Sequence, residues 1–367
     1  KVKSGGSVIL LSNLTQTSQA NFNTSGKSVT LKSNGSSIYT ITRGSGLTSG
    51  SIISFYNSST TTVTNVKFNG NNVSSNKPLL VSSGSATVNL NSGVTIQSGV
   101  NTVDYGGGGF GAYSSSILNI NGATITSNKT NNRGGGIYLH ASTLNFNSGT
   151  ISNNSTTNTS FSQGGGIFTW QSNVTIKGGT ITNNTGISQG GGLWLGTDTI
   201  KISLTIRGGN FTNNKSQDGA GIYISSDQTA SNTNATISSC YIYNNGSSGS
   251  GGGIYLSRAI LTITNVNITA NSAQYGAGVC MNNGATLYHK GGNIQNNTAS
   301  GAAAGIDVAG GGNGANKLYV QGGNVINNKC TASNGIGGIN VATSSGSSYT
   351  YSSGNVSGNT PNNTGSW

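Results

Sequence analysis

Gly134-Gly-Gly-Ile-Tyr-Leu139 recurs in close copies through most of this chain of 367 residues. Aligned on the residue that follows the glycines, successive copies lie 25 to 33 residues apart. The aligned positions are Phe110, Ile137, Ile167, Leu193, Ile222, Ile254, Val279, Ile306 and Ile339. A period of this size is typical of proteins built from stacked repeats.

Two further apolar segments follow each copy, and both show strand-like character. The first alternates apolar and polar residues and begins at Leu118, Leu144, Val174, Leu204, Ala235, Leu261, Leu287, Leu318 and Tyr349. The second is centred on Ile125, Ile151, Ile181, Phe211, Ile242, Ile268, Ile294, Val325 and Val356. Each repeat is therefore predicted to contain three short strands.

Three short strands per period, with no helical segment, predict an all-β chain folded as a single-stranded parallel β-helix of about 10–12 coils. Leucine-rich repeats need a different Leu and Asn framework, and propeller blades need longer periods with hairpins. Residues 1–75 have a looser period and are predicted to form irregular coils of the same solenoid. Residues 76–367 are predicted to form the regular repeats and a short C-terminal tail.

The composition limits the kinds of function. Charged residues make up 6% of the chain, and 17 Lys and Arg oppose five Asp, which gives a net charge of +12. This excess favours anionic partners such as cell-surface polymers. The basic residues are scattered and accompany no nucleic-acid motif, so no specific nucleic-acid binding is expected. No apolar run approaches the roughly 20 residues of a membrane helix, so no membrane span is expected.

An aromatic row is predicted from the first strand of five consecutive repeats. The aliphatic residues on either side must face the core, so the residue between them must face outward. These residues are Tyr138, Phe168, Trp194, Tyr223 and Tyr255. Such a row can bind sugar rings, or its rings can simply stack on one another. We expect it to be exposed and to end at Cys280.

An Asn ladder is predicted from the third strand, which is followed by Asn in nine repeats. Asn tolerates the left-handed conformation of a tight turn, and its amide can bond to the same amide one coil away. We interpret the ladder as structural. Its members are Asn128, Asn154, Asn184, Asn214, Asn245, Asn271, Asn297, Asn328 and Asn359. The Gly clusters are interpreted as sharp corners, since a strand and not a helix follows each of them.

Few residues could support catalysis or hold a metal ion. Only Asp198 and Asp227 fall in register one coil apart, and they form a weak candidate pair for a cation or a glycosidase. Solvated loop residues are the alternative interpretation. Cys240, Cys280 and Cys330 lie at non-equivalent positions without metal-ligand spacing and are predicted to be small buried or isolated thiols. We expect no catalytic residues, no resident metal and no cofactor.

Gly219-Ala-Gly-Ile222 forms a GGAI-like motif, and Phe211-Thr-Asn-Asn214 forms an FxxN motif. Over about residues 85–360, this pairing resembles the repeats of bacterial and archaeal surface β-helix proteins, including the chlamydial polymorphic outer-membrane proteins. The resemblance implies a right-handed β-helix, an extracellular or cell-surface location, and a role in adhesion or surface structure. These motifs specify architecture and not a ligand.

The function that we predict from the sequence is an adhesin-like rod or fibre subunit that self-associates end to end or side by side. The open end of a β-helix presents unpaired backbone groups, and no helical pattern is present to cover it. The alternative is a carbohydrate-binding or polysaccharide-degrading β-helix that uses the aromatic row. A third possibility is electrostatic capture of anionic polymers. The number of glycosylation sequons is what the composition alone would produce, so it is no evidence of glycans.

Overall fold

The computed structural model describes residues 3–23, 25–103, 106–159, 161–226, 233–310 and 313–366. The chain is all-β and forms a solenoid of about 12 turns, with parallel stacked sheets and 56% of the residues in strands. The predicted fold class is therefore confirmed. The chain divides into two compact units, Lys1–Ile187 and Ser188–Trp367. No helix among the described residues is long and apolar enough to span a bilayer.

The strands of the first unit are short and follow one another closely. They are β1 (Ser7–Leu10), β2 (Leu14–Gln16), β3 (Ala20–Asn23), β4 (Ser28–Ser33), β5 (Tyr39–Arg43), β6 (Ile53–Tyr56), β7 (Thr60–Thr64), β8 (Val66–Asn69), β9 (Ser74–Ser75), β10 (Leu80–Ser82), β11 (Thr87–Asn91), β12 (Thr95–Gln97), β13 (Val100–Asn101), β14 (Phe110–Tyr113), β15 (Ile117–Thr126), β16 (Lys129–Thr130), β17 (Ile137–His140), β18 (Thr143–Ser152), β19 (Ser155–Thr156), β20 (Ile167–Trp170), β21 (Asn173–Ile176) and β22 (Thr180–Thr182). Strand β23 (Thr185–Gln189) runs from this unit into the next.

The second unit has the same organisation and also contains a 3-10 turn at Thr343–Ser345. Its strands are β24 (Leu193–Thr197), β25 (Ile202–Ile206), β26 (Asn210–Thr212), β27 (Lys215–Asp218), β28 (Ile222–Ser226), β29 (Thr233–Ser238), β30 (Tyr241–Tyr243), β31 (Gly246–Ser247), β32 (Ile254–Ser257), β33 (Ile260–Thr264), β34 (Val266–Thr269), β35 (Ser272–Ala273), β36 (Val279–Asn282), β37 (Thr286–His289), β38 (Gly292–Gln295), β39 (Thr298–Ala299), β40 (Ile306–Val308), β41 (Lys317–Ile326), β42 (Lys329–Cys330), β43 (Ile339–Val341), β44 (Ser348–Ser357) and β45 (Thr364–Ser366).

In each unit the strands of successive turns pair in parallel and form three sheets. Sheet B contains the strand after each Gly cluster, and in the first unit Phe110 pairs with Ile137 and Ile137 with Ile167. Sheet A contains the strands formed by the two later apolar segments of each repeat. In β15 and β18 these two segments merge into one long bulged strand. Sheet C contains the very short strands such as β13, β16 and β19. The sequence period thus equals one turn.

The core lies inside the turns because strand alternation points every second side chain inward. In β18, Leu144 and Phe146 are fully buried while Thr143 and Asn145 are half-buried. Burial of each Leu or Phe stabilises the fold by about 1.5–3 kcal/mol. Because identical inward positions recur in every turn, the core is a stack of aliphatic and aromatic layers.

The Gly clusters form corners that place a strand of sheet B close to its neighbour. Gly134 has a φ of 70°, in the left-handed region. A Cβ on Gly136 would lie 2.7 Å from the carbonyl oxygen of Gly166, one turn away. Both glycines are therefore required by backbone geometry. They do not form a phosphate-binding loop, because strand β17 and not a helix follows them directly.

Candidate functional site

The aromatic row is buried, and the prediction that it is exposed is wrong. The exposed fractions are 4% for Tyr138, 1% for Phe168, 5% for Trp194, 8% for Tyr223 and 9% for Tyr255. In the second unit Trp194, Tyr223 and Tyr255 share one register of sheet B. Since Ile222 and Ile224 on either side of Tyr223 belong to the core, the rings lie on the outer face of the sheet, as expected. Something else must cover them.

In the second unit the cover comes from residues at the edges of this face. The indole nitrogen of Trp194 donates to Oε1 of Gln189 at 3.1 Å, and Nε2 of Gln189 donates to the hydroxyl of Tyr223 at 3.2 Å. On the opposite side, Nδ2 of Asn282 donates to the hydroxyl of Tyr255 at 3.1 Å. We call the trough between these two edges the outer groove. The rings fill it and stack on each other, with centroids 6.1 and 4.8 Å apart.

In the first unit the rings are also covered by corner residues. Tyr138 and Phe168 stack with centroids 5.1 Å apart. The guanidinium carbon of Arg133 lies 5.3 Å from the Phe168 ring centroid, and Nε of Arg133 donates to Oε1 of Gln163 at 3.1 Å. Long side chains directly before the Gly clusters were the sequence signal for this cover. Strand alternation alone cannot report it, since it assigns a face and not the exposure of that face.

The outer groove is open where the row ends. In parallel register, Tyr255 pairs with Cys280, Cys280 with Asp307 and Asp307 with Asn340. These side chains are smaller than the rings, and beside them lies a cavity of 360 Å³. Residues that line it include Ser250, Tyr275, Cys280, Asn282, Asp307 and Asn340. The sequence marked these positions only as the end of the row.

Asp307 is the charged group of this cavity and is 4% exposed. Burial raises the pKa of Asp307 to about 6, against the opposing effect of the Asn340 amide, which donates to Oδ1 at 3.0 Å. Burial also raises the pKa of Cys280, with further increases from the charges of Asp307 and Asp218. At neutral pH the cavity therefore holds a carboxylate and a neutral thiol.

Asp218 belongs to the same surroundings. Its Oδ1 accepts a hydrogen bond from the backbone N–H of Ser250 at 2.8 Å, and burial raises its pKa despite that bond. This end of the groove thus has two acidic side chains nearby, and none of the described residues that line the cavity is Lys, Arg or His.

The predicted carboxylate pair is not assembled in the described structure. Asp198 is half-buried in the loop after β24 and accepts a hydrogen bond from the N–H of Thr199 at 2.5 Å. Asp227 lies outside the described residues. In the described ranges, no three His, Cys, Asp or Glu side chains cluster in a way that could hold a metal ion. Cys240, Cys280 and Cys330 are free, buried thiols.

The Asn ladder forms a continuous chain of amide hydrogen bonds within each unit. In the first unit, Nδ2 of Asn128 donates to Oδ1 of Asn154, and Nδ2 of Asn154 donates to Oδ1 of Asn184, both at 3.0 Å. The same bonds run through Asn214, Asn245, Asn271, Asn297, Asn328 and Asn359 at 2.9–3.0 Å. All of the ladder residues are buried, so they offer no surface to a ligand.

The sequence analysis assigned the left-handed conformation of the ladder turn to the ladder Asn, and this assignment is wrong. It is the preceding residue, for example Asn153 with φ 56° and Asn183 with φ 54°. The ladder Asn instead uses both ends of its side chain. Nδ2 of Asn154 also donates to the Ile125 carbonyl at 2.9 Å, and its Oδ1 also accepts the N–H of Asn128 at 3.0 Å. The ladder thus satisfies backbone groups inside the turn.

Two buried basic side chains carry no sequence motif. His289 is 0% exposed between Ile263 and Val320 of the neighbouring turns, and burial lowers its pKa to about 4. The backbone of Gly292 approaches the ring, but neither nitrogen reaches hydrogen-bond geometry with any described group. Arg43 donates from Nη2 to the carbonyls of Gly50 and Pro78, at 3.0 Å each. Both occupy inward positions of an alternating strand, which was the available signal.

Partly exposed rings also occur on the outer face of sheet A in the second unit. Tyr288 and Tyr319 are half-buried and stack with centroids 4.9 Å apart, and Nζ of Lys290 lies 5.9 Å from the Tyr288 centroid. Tyr241 and Tyr243 are 54% and 46% exposed. These four rings are more accessible to solvent than the predicted row, whose exposed fractions are 9% or less.

Neither a family model nor any curated protein or solved structure matches this sequence.

Proposed function

We propose that the chain is a non-catalytic structural protein of a cell surface, an adhesin-like rod or fibre subunit that self-associates through the edge strands of its coils. The observation that carries this proposal is the first described turn. In the described chain, β1, β2 and β3 pair on one side only, with β4, β5 and β6. Their second edge presents backbone groups that another strand can satisfy.

Apolar side chains accompany this edge. Ile9 is 47% exposed, Leu11 is 71% exposed and Leu14 is 44% exposed. An apolar edge strand is a template for strand addition, because the added strand satisfies the backbone and buries the side chains together. The last described turn of a second copy can supply both, because β44 and β45 also pair on one side only, with β41 and β43. The extracellular location is supported by the resemblance to surface β-helix repeats and by the low charge content.

Sedimentation velocity over a concentration series tests this proposal. The wild-type chain should form larger species as concentration rises, and the double variant Ile9→Lys with Leu11→Lys should stay monomeric. Ile200→Lys is the matched control, since Ile200 is 44% exposed in the second unit. A wild-type chain that is monomeric throughout, or a double variant that assembles normally, would contradict the proposal.

A second candidate function is carbohydrate binding on sheet A, favoured by the Tyr288–Tyr319 stack. Accessible aromatic rings present apolar faces on which sugar rings can stack. The buried row offers no comparable ring face, since its side chains are 1% to 9% exposed. A glycan array with wild type and with Tyr288→Ala separates the two functions: binding that is lost in the variant supports this candidate, and no binding to any glycan removes it.

A further inference from the structure

The outer groove of sheet B is filled by rings in the turns of Trp194, Tyr223 and Tyr255 and is open in the turns of Cys280 and Asp307. The cavity of 360 Å³ is therefore a place where the repeat omits its own side chain. This volume lies within the range of small-molecule sites.

We propose that this cavity binds the primary ammonium group of a small organic ligand, with Asp307 as the counter-ion. This binding does not depend on the proposed self-association. Asp307 is the one Asp, Glu, Lys, Arg or His among the described residues that line the cavity.

The lining explains the preference for a positive charge. Among the described residues that line the cavity, none is Lys, Arg or His. The Asn340 amide donates one hydrogen bond to Asp307, and an amide cannot neutralise a carboxylate that is 96% shielded from water. A buried carboxylate is costly unless it is paired. An ammonium group supplies a positive charge and three hydrogen-bond donors. Its charge makes each hydrogen bond to the carboxylate stronger than one from a neutral hydroxyl.

The mouth of the cavity provides a second feature that suits an ammonium ligand. Tyr275 is 39% exposed and lines the cavity beside Ser250, with which it forms a parallel bridge. A cation that approaches an aromatic face is attracted by the ring quadrupole. The net charge of +12 does not oppose this strongly, since exposed charges beyond about 8 Å are screened at physiological ionic strength.

Glucosamine and N-acetylglucosamine are suitable probes, because they share one sugar ring and differ at its nitrogen, which is a basic amine in the first and a neutral amide in the second. Each is titrated into the whole chain by calorimetry and by NMR shifts of the amides around Asp307. Wild type should bind glucosamine at least about tenfold more tightly than N-acetylglucosamine, given the strength of charge-assisted hydrogen bonds. Butylamine is titrated in the same way, to separate the amine from the sugar ring.

Asp307→Asn keeps the shape of the side chain and removes its charge, so it should fold and lose the preference for the amine. Asp198→Asn is the control for a general loss of negative charge and should bind like wild type. The proposal is overturned if neither glucosamine nor butylamine gives a saturable shift. It is also overturned if both sugars bind equally and Asp307→Asn changes nothing, which would indicate a neutral sugar site.

Discussion

Removing one amide from the middle of the Asn ladder should destabilise the first unit strongly. Asn154→Ala deletes the hydrogen bonds of Nδ2 to Ile125 and Asn184 and those of Oδ1 from the N–H and Nδ2 of Asn128. Nδ2 of Asn128 keeps its second partner, the Ile96 carbonyl at 3.0 Å. The N–H of Asn128 and the Ile125 carbonyl lose these partners inside the protein, where water cannot replace them.

The expected magnitude follows from these two backbone groups. Leaving one buried group unsatisfied costs about 1–3 kcal/mol, so the free energy of unfolding should fall by about 2–6 kcal/mol. The matched control is Asn145→Ala, on the outer face of β18, the strand that precedes Asn154. Asn145 donates to Oδ1 of Asn119 at 2.8 Å, but it is half-buried and water can take over. Its loss should cost no more than about 1 kcal/mol.

Urea unfolding followed by circular dichroism measures both variants, and amide hydrogen exchange locates the effect. Exchange should accelerate most in the turns of Asn128, Asn154 and Asn184, because a repeat protein is stabilised mainly by contacts between neighbouring turns. If Asn154→Ala and Asn145→Ala differ by less than about 1 kcal/mol, the ladder does not stabilise the turn in the way argued from its hydrogen bonds.

Further predictions concern the second unit. The pKa of His289 falls from 6.5 to about 4, so its contribution to stability is complete above pH 6.5 and is lost as pH falls to 4, by about 3 kcal/mol. The pKa of Asp307 rises from 3.8 to about 6, so acidification over nearly the same range relieves a penalty of similar size. Between pH 6 and 4, Asp307→Asn should therefore lose about 3 kcal/mol more stability than wild type in urea titrations; the same pH dependence in variant and wild type would refute this. His289→Leu places an aliphatic side chain between Ile263 and Val320 and should raise the neutral-pH stability by about 1–2 kcal/mol; a lower melting temperature would contradict it. Iodoacetamide should modify Cys240, whose pKa burial raises to about 12, only after unfolding, as mass spectrometry of native and denatured protein would show; rapid native labelling would show that the thiol is accessible.

The repeat pattern was sufficient to predict how the strands stack. Registers such as Ile137 with Ile167 follow from aligning the Gly clusters, because one period is one turn and every turn pairs with the next. The candidate site was only partly predictable. Alternation placed Trp194 and Tyr223 on the outer face of sheet B, but the burial of those rings depends on Gln189 and Asn282, which lie at the edges of the groove and belong to no repeat motif.

The sequence by itself determined the β-helix, its period, the face on which each side chain lies and the positions of the Asn ladder. These properties are local and repetitive, since the periodicity of a strand and the length of a turn are written in consecutive residues. Only the tertiary structure decided that the ring row is covered and that Asp307 lies beside a cavity. Exposure depends on which side chains from neighbouring turns lie over a position. In the turns of Cys280 and Asn340 the side chains are small and leave a cavity, whereas in the turns of Tyr223 and Tyr255 stacked rings fill the same groove.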